Sequence, residues 1–315
     1  MKADRLAPWD LSRQAILSAH RISVVITSYN EGEELGQTLR SVIDNTHGLL
    51  EVIVVDDGST DGSSDVAQAF GVRVIRHEER IGVAYSRDEA SLAARGDIIC
   101  YLDAHQRVGR HCLDECACIA SERNVITSPD IRGFGRLTLR LRGADFQLCP
   151  KHSYFSANWR LRWGLNQLTA VTALRAPPYL IPRRLYPRIA WSQSLRSWGG
   201  SEASVSVKSF FSAIEIVHVR GPLARHRFQR AFSYDVTWED MWRNQAIIAR
   251  VCFDDATWFR HWLPNVFQAH LSRSARAIVD SREVQVEHEE FLGRKVRTDR
   301  QFWTELLRCP PPAGV

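Results

Sequence analysis

The feature that most constrains the fold is an alternation of short apolar runs and helical patterns in the first half of the chain. Residues 22–27 form a short run rich in β-branched side chains, which is typical of a buried strand. Leu35, Leu39, Val42 and Ile43 then recur at the spacing of one helix face. The same order recurs, with further strands predicted at residues 51–55, 72–76, 97–102 and 125–128. These repeats predict an α/β fold, in which helices cover both faces of a mostly parallel sheet.

The composition argues against several classes of protein. In a chain of 315 residues, 44% hydrophobic and 24% charged residues indicate a globular protein rather than a disordered or fibrous one. The net charge of +5 is spread along the sequence, which fits a small polyanionic ligand and argues against a nucleic-acid partner. No apolar run approaches the roughly 18 residues of a membrane span, so no integral membrane segment is expected. Seven cysteines suit reduced thiols, and residues 1–20 lack an apolar signal core, so we expect a cytoplasmic protein.

The chain is expected to have three parts. They are an N-terminal extension at residues 1–20, a main domain at 21–235 and a helical region at 236–315. In the main domain we predict a helix over residues 201–211 and a last strand over 213–217, from which a turn leads to His226. The helical region is rich in tryptophan, and we expect it to pack on the main domain.

Three clusters of hydroxyl, carboxylate and imidazole side chains stand directly after predicted strands. They cover residues 27–31, 56–59 and 103–105. In an open α/β sheet, ligands bind beyond the carboxyl ends of the strands. We therefore expect the three clusters to converge in space, although they are far apart in the sequence.

The third cluster has the chemistry of a divalent metal site. Asp103 and His105 alternate across a turn, so both side chains can face one Mn²⁺ or similar ion, and His226 can complete the set. Such an ion can bridge two phosphates and neutralise a departing diphosphate. The alternative is structural: an aspartate that caps a helix beside an exposed histidine.

Other candidate residues also have structural alternatives. Asp57 can accept hydrogen bonds from a nucleobase or ribose, or it can serve only the Asp-Gly-Ser turn. Arg87 can meet a phosphate, or it can be solvated at the surface. Glu202 follows Trp198-Gly-Gly-Ser, where it can act as a base toward an acceptor or stabilise a helix N-terminus.

Taken in order, four segments resemble the GT-A glycosyltransferases, and especially glycosyltransferase family 2. The segments are residues 24–31, 54–61, 80–87 and 94–105. The resemblance implies a GT-A fold with a helical C-terminal extension, in which residues 21–235 are the catalytic domain. It also implies a metal-dependent enzyme that moves a sugar from a nucleotide-sugar donor, a UDP-hexose or UDP-N-acetylhexosamine, to an unidentified acceptor.

The metal motif is similar to that of the polypeptide N-acetylgalactosaminyltransferases. Asp103-x-His105, Trp198-Gly-Gly and the later His226 carry this likeness. It implies that Asp103, His105 and His226 bind Mn²⁺ (or Mg²⁺), and that Trp198 lines the sugar site. The residues expected at the donor are Thr27, Tyr29, Glu31, Asp57, Arg87, Asp103, Trp198 and Tyr234.

The sequence departs from that likeness after Trp-Gly-Gly. Ser201 stands where those relatives have Glu, and Glu202 stands where inverting family 2 members carry their catalytic Asp. Glu202 is therefore the expected catalytic residue, and both an inverting and a retaining outcome stay open.

Pro177-Pro178 replaces an expected pair of glycines, and no lectin-like domain or membrane anchor is expected. The alternatives are a non-catalytic sugar-nucleotide-binding protein and a nucleotidyltransferase, whose Gly-rich loop is missing here.

Overall fold

The computed structural model describes residues 20–135, 140–149, 153–160, 166–228 and 235–313. The strands in these residues are β1 Ile22–Ser28, β2 Leu49–Asp56, β3 Arg73–Arg76, β4 Ile98–Asp103, β5 Gln106–Val108, β6 Ile126–Gly133, β7 Arg140–Leu141, β8 Ala144–Cys149, β9 Ser153–Trp159, β10 Leu168–Val171, β11 Tyr179–Pro182 and β12 Ile216–His226. Ten of them form one sheet, whose main path is β10-β12-β6-β11-β4-β1-β2-β3.

The sheet is mostly parallel, and the predicted α/β fold is confirmed. Strands β4, β1, β2 and β3 lie side by side in parallel, and β12 is parallel to β6. Strand β11 runs antiparallel between β6 and β4, and β10 is antiparallel to β12 at one end of the path. Strands β8 and β9 form a separate hairpin.

Helices connect the strands of the first half and make up most of the last quarter of the chain. They are α1 Gly32–Asn45, α2 Ser63–Ala69, α3 Val83–Ala93, α4 Cys112–Arg123, α5 Tyr186–Ile189, α6 Ser201–Phe211, α7 Trp238–Cys252, α8 Asp255–Thr257, α9 Arg273–Val279, α10 Arg282–Leu292 and α11 Asp299–Gln301. The π-helical stretches Trp258–Phe267 and Phe302–Leu306 continue α8 and α11, and a 3₁₀ turn, Arg183–Leu185, precedes α5.

Helix α1 shows how the spacing of apolar residues determines which face of a helix packs on the sheet. Leu35, Leu39 and Val42 are fully buried, because residues at this spacing share the face that packs on the sheet. Ile43 belongs to the same predicted pattern, but it is 43% exposed because it lies beside that face rather than on it.

The prediction for the last strand was wrong at both ends. The sequence pattern predicted a strand over residues 213–217, whereas β12 begins at Ile216 and continues to His226. Its pairing with β6 shifts register between Val219 and Leu223, so the irregular stretch at Gly221 interrupts the strand without ending it. This continuation carries His226 to the site described below.

The helical C-terminal region packs on the main domain, as expected. Trp258 and Trp262 are fully buried, whereas Trp238 is 58% exposed. The Trp262 ring lies 5.2 Å from that of Phe155 on β9 and 4.8 Å from that of Phe253, measured between ring centroids. Aromatic packing of this kind joins the hairpin and the last helices into one core.

Two further observations concern the cysteines and the length of the helices. All seven cysteines are free thiols, and four of them are buried. Among the residues that the structure describes, no helix combines the length and the apolar character that crossing a membrane requires.

We expect Trp262→Ala to lower the free energy of unfolding by about 3–5 kcal/mol, because it removes a fully buried ring from the shared core. Phe259→Ala, in the same stretch but 55% exposed, should cost less than about 1 kcal/mol. Urea unfolding followed by circular dichroism measures both variants. Equal losses would show that the Trp262 ring does not carry the packing between the two parts.

Candidate active site

A cavity of about 500 Å³ lies beyond the carboxyl ends of β1, β2 and β4. Parallel pairing places Thr27 beside Val55 of β2 and Asp103 of β4, so these strands end at one level. Ten of the expected site residues line the cavity: Thr27, Tyr29, Glu31, Asp57, Arg87, Asp103, His105, Trp198, Glu202 and His226. The eleventh, Tyr234, lies outside the described residues.

The structure brings Asp103, His105 and His226 together at one point of this cavity. One possible ligand atom from each residue lies within 4.8 Å of the others. His226 Nε2 is 3.1 Å from an Asp103 carboxylate oxygen, and the two imidazole rings are 5.1 Å apart between centroids. Carboxylate oxygen and imidazole nitrogen are ligands that Mn²⁺ accepts, so this cluster could hold such an ion.

The pairing of β5 with β12 brings His226 to the cluster. Gln106 of β5 is the antiparallel partner of His226, and the His105 carbonyl accepts a hydrogen bond of 3.2 Å from the Arg227 amide. The buried Gln106 side chain in turn accepts from the Asp103 amide at 3.1 Å. Residues far apart in the chain are therefore held together by backbone pairing.

Neighbouring charges determine the pKa values in the cluster. Burial alone would raise the pKa of Asp103, but the hydrogen bond from His226 and the charge of Arg87 outweigh it and lower that pKa. Burial would lower the pKa of His105, but Glu31 and Asp103 outweigh it and raise that pKa above its usual 6.5. The cluster therefore favours an ionised carboxylate.

Glu31 lies behind the cluster rather than only at the cavity wall. Its carboxylate oxygen Oε1 is 2.8 Å from His105 Nδ1, which leaves Nε2 as the nitrogen available to another partner. A carboxylate in this position fixes the tautomer and the direction of a ligating histidine. Glu31 was expected at the donor, and its contact with His105 points to a role through that residue.

Asp57 is held by three donors at the start of a tight loop. One carboxylate oxygen accepts from the Ile81 amide and the other from the Gly82 amide, both at 2.9 Å. His77 Nδ1 lies 2.8 Å from the first oxygen, and His77 Nε2 lies 2.8 Å from Glu89. With both carboxylates ionised, both ring nitrogens of His77 must donate, so this geometry favours the charged imidazolium.

Gly82 lies in the loop between β3 and α3, whose amides donate to Asp57, and it allows this loop to reach the opposite wall of the cavity. Its φ is +128°, and a Cβ built there would lie 2.7 Å from the Ser197 amide nitrogen. Any other residue would force the two backbones apart. The contact joins the loop that holds Asp57 to the segment that carries Trp198.

Arg87 is a buried guanidinium between two carboxylates. It donates to Asp103 at 3.0 Å and to Glu202 at 2.7 Å, and its side chain is 2% exposed. Ser201 donates to the other Glu202 oxygen at 2.6 Å. Burial would lower the pKa of Arg87, but the two carboxylates raise it, so the charge is retained. Arg87 was expected to meet a phosphate; in the structure its protein partners are these two carboxylates.

Comparisons with known proteins identify the family to which part of this chain belongs. Residues 23–166 match the family model of Glycosyl transferase family 2. These residues form a glycosyltransferase family 2 domain.

Relatives of this domain include N-acetylgalactosaminyltransferases. N-acetylgalactosaminyltransferase 7 of Drosophila melanogaster is 38% identical over 217 residues, which cover 60% of this chain and 36% of that protein. Polypeptide N-acetylgalactosaminyltransferase 6 of Homo sapiens is 27% identical over 269 residues, which cover 74% of this chain and 42% of that protein. The chain thus spans about two fifths of the length of these relatives.

The fold is likewise shared with a solved structure. A crystal structure of GalNAc-T7 with UDP, GalNAc and Mn²⁺ superposes with a TM-score of 0.72 at 19% identity, covering 92% of this chain and 57% of that one. The expected GT-A fold of the family 2 domain, with its helical C-terminal extension, is confirmed by this likeness.

Some residues of the site were missed by the sequence analysis. His77 directly follows β3, so the rule that identified the other strand ends would also have identified this residue. Trp159 and Arg175 line the cavity from the β8–β9 hairpin and the segment before β11. No local motif marks these two, because the hairpin reaches the cavity only through tertiary packing.

We expect Glu31→Gln to weaken Mn²⁺ binding by about 10- to 100-fold, because the variant loses the carboxylate that orients His105. Glu33→Gln, an exposed residue in the first turn of α1, is the matched control and should bind Mn²⁺ as the unaltered chain does. Electron paramagnetic resonance of free Mn²⁺ measures both affinities. Equal Mn²⁺ affinities in the two variants would contradict the role of Glu31 in orienting His105.

The hydrogen bonds to Asp57 and Glu89 overcome burial and raise the pKa of His77 above its usual 6.5. The stability that His77 contributes is therefore complete below pH 6.5 and is lost as the pH rises through the raised pKa. We expect Glu89→Gln to lower the pKa of His77, and Glu78→Gln, which is exposed, to leave it unchanged. A pH titration of the ring resonances by NMR measures this, and an unchanged pKa in Glu89→Gln would refute the coupling.

Proposed function

We propose that this chain is a glycosyltransferase that transfers a hexose or N-acetylhexosamine from a UDP-linked donor, with Mn²⁺ or Mg²⁺ held by Asp103, His105 and His226. The observation that carries the proposal is the gathering of these three side chains within 4.8 Å, in the cavity that also contains Asp57 and Glu202. Residues 21–235 would be the catalytic domain and residues 236–315 its helical support.

The cluster suits a divalent cation on chemical grounds. The Nδ1 atom of His226 is buried and has no hydrogen-bond partner among the described residues, although its Nε2 contacts Asp103. The set combines one carboxylate with two imidazoles, which is a donor set that Mn²⁺ accepts. When bound, the cation would neutralise negative charge on a departing diphosphate.

The remaining side chains of the cavity divide into two groups by their proposed roles. Thr27, Tyr29 and Asp57 lie at the ends of β1 and β2, where they would hold the nucleoside, and Trp198 would face the sugar. Support for a UDP-linked donor comes from the GalNAc-T7 structure, which contains UDP, GalNAc and Mn²⁺. We expect no nucleic-acid partner, and a cytoplasmic location stays a prediction from the sequence.

Glu202 is proposed as the catalytic carboxylate. It lies in the first turn of α6, and Arg87 links it to Asp103 of the metal cluster. In an inverting reaction it would take the proton of the acceptor, and in a retaining one it would orient the substrate. A rival function, sugar-nucleotide binding without transfer, is favoured by one observation: both Glu202 oxygens already have protein donors.

The test is release of the nucleoside diphosphate, UDP or GDP, from a panel of UDP- and GDP-sugars in the presence of Mn²⁺. We expect turnover of a UDP-hexose or UDP-N-acetylhexosamine that is abolished by EDTA and by Asp103→Ala. Glu202→Gln should lower kcat by about 10²- to 10⁴-fold, the range for loss of a general base, with UDP affinity nearly unchanged. Glu290→Gln, in an exposed pair with Arg294, is the matched control.

Two results would count against the proposal. Binding of UDP-sugars without turnover, unaffected by Glu202→Gln, would establish the binding protein instead. Failure of every nucleotide sugar to bind, measured by calorimetry with and without Mn²⁺, would exclude both functions.

A further inference from the structure

Arg175 presents an unused hydrogen-bonding edge to the proposed active site. It precedes β11 and lines the cavity. Its Nη1 donates to the Ala157 carbonyl and lies 3.5 Å from the Asn158 side-chain oxygen. Its Cζ is 5.6 Å from the centroid of the Trp159 ring. The hairpin strand β9 therefore holds one end of the guanidinium and supports its face.

The opposite edge of the guanidinium is available to a ligand. Among the described residues, the hydrogen bonds of the Arg175 side chain are made by Nη1, and Nε and Nη2 make none. The N–H groups on this edge point in the same direction, which is the geometry that takes a carboxylate or phosphate through two hydrogen bonds. Arg160 shows the contrast, since its Nε and Nη2 both donate to Asp145.

The carboxylates of the cavity are all bound elsewhere. The pairs are Glu31 with His105, Asp57 with His77, Asp103 with Arg87 and His226, and Glu202 with Arg87. In the part of the chain that the structure describes, Arg175 has no carboxylate within ion-pair distance. The four internal stretches outside the described residues, 136–139, 150–152, 161–165 and 229–234, contain no Asp or Glu, whereas residues 1–19 contain Asp4 and Asp10. Because no carboxylate of the described residues reaches Arg175, a ligand is the source of the anion in the proposal below.

Arg175 lies near the reacting end of the cavity rather than at the nucleoside end. Strand β11 is antiparallel to β4, with Tyr179 opposite Tyr101, so the segment that precedes β11 lies at the carboxyl end of β4, where Asp103 stands. A group bound by Arg175 would therefore belong to the transferred sugar or to the acceptor.

We propose that Arg175 binds a carboxylate or phosphate group of the substrate, so that this glycosyltransferase acts on an anionic sugar or an anionic acceptor. The inference rests on the proposed function and specifies its substrate class. A uronic acid in the donor and an acidic acceptor share the chemistry that the guanidinium recognises, and the experiment separates them.

The experiment has two arms that differ in where the anion lies. The donor arm compares UDP-glucuronic acid with UDP-glucose and UDP-galacturonic acid with UDP-galactose, by UDP release with Mn²⁺. The acceptor arm uses the best donor and compares phenyl β-glucuronide and glucose 6-phosphate with phenyl β-glucoside and glucose. We expect the anionic member to have at least about 10-fold higher kcat/KM in one arm, and that arm identifies the source of the anion.

Variants of Arg175 test whether this side chain causes the preference. Arg175→Gln should lower kcat/KM for the anionic member by about 10- to 100-fold and for the neutral member by less than about 3-fold. Arg175→Lys keeps the positive charge but cannot make two parallel hydrogen bonds to one anion, so its kcat/KM for the anionic member should lie between those of the unaltered chain and Arg175→Gln. Arg282→Gln, 70% exposed on α10, should change neither value.

Two outcomes overturn the inference while the transferase stands: no preference in either arm, or an equal loss for both members in Arg175→Gln. Failure of the proposed function appears differently, as no UDP release from any donor. In that case ligand-observed NMR with D-glucuronate and D-glucose decides, because it needs no turnover. Selective binding of glucuronate that Arg175→Gln abolishes supports the site, and equal binding of the two sugars overturns it.

Discussion

The site depends on the buried ion pairs that Arg87 makes with Asp103 and Glu202. A guanidinium that is 2% exposed is tolerated only because Asp103 and Glu202 compensate its charge. Removing one partner of a buried ion pair of this kind typically costs about 3–5 kcal/mol, since the remaining charge is left uncompensated. Arg87 thereby ties the end of β4 to the start of α6, and the proposed metal ligand to the proposed catalytic carboxylate.

The site residues at the ends of β1, β2 and β4 could be predicted from the sequence, because local patterns determine where these strands end. Strand ends follow from short β-branched runs, and parallel pairing then places Thr27 beside Asp103 without further information. The strand predicted over residues 97–102 agrees with β4 to within one residue at each end. The side chains expected at these strand ends line one cavity, because parallel strands place their carboxyl ends on the same edge of the sheet.

The rest of the site depends on long-range packing that no local pattern encodes. His226 reaches Asp103 because β12 continues past the irregular stretch at Gly221, where the sequence indicates a break. Arg175 enters the cavity because the β8–β9 hairpin supports it, and that hairpin is fixed by aromatic packing against the last helices. The carboxylate partners of Arg87 lie 16 and 115 residues away in the chain, so their pairing follows only from the assembled fold.

One contact gives the C-terminal region a part in shaping the cavity. Asn244 of α7 is fully buried, and its side-chain amide donates to the carbonyls of Arg196 at 2.8 Å and Gly199 at 3.0 Å. These carbonyls flank Trp198, so a helix from outside the matched residues 23–166 holds the backbone of the cavity wall that carries Trp198. Substitutions in this helix can therefore change the dimensions of the cavity while Asp103, His105 and His226 stay unaltered.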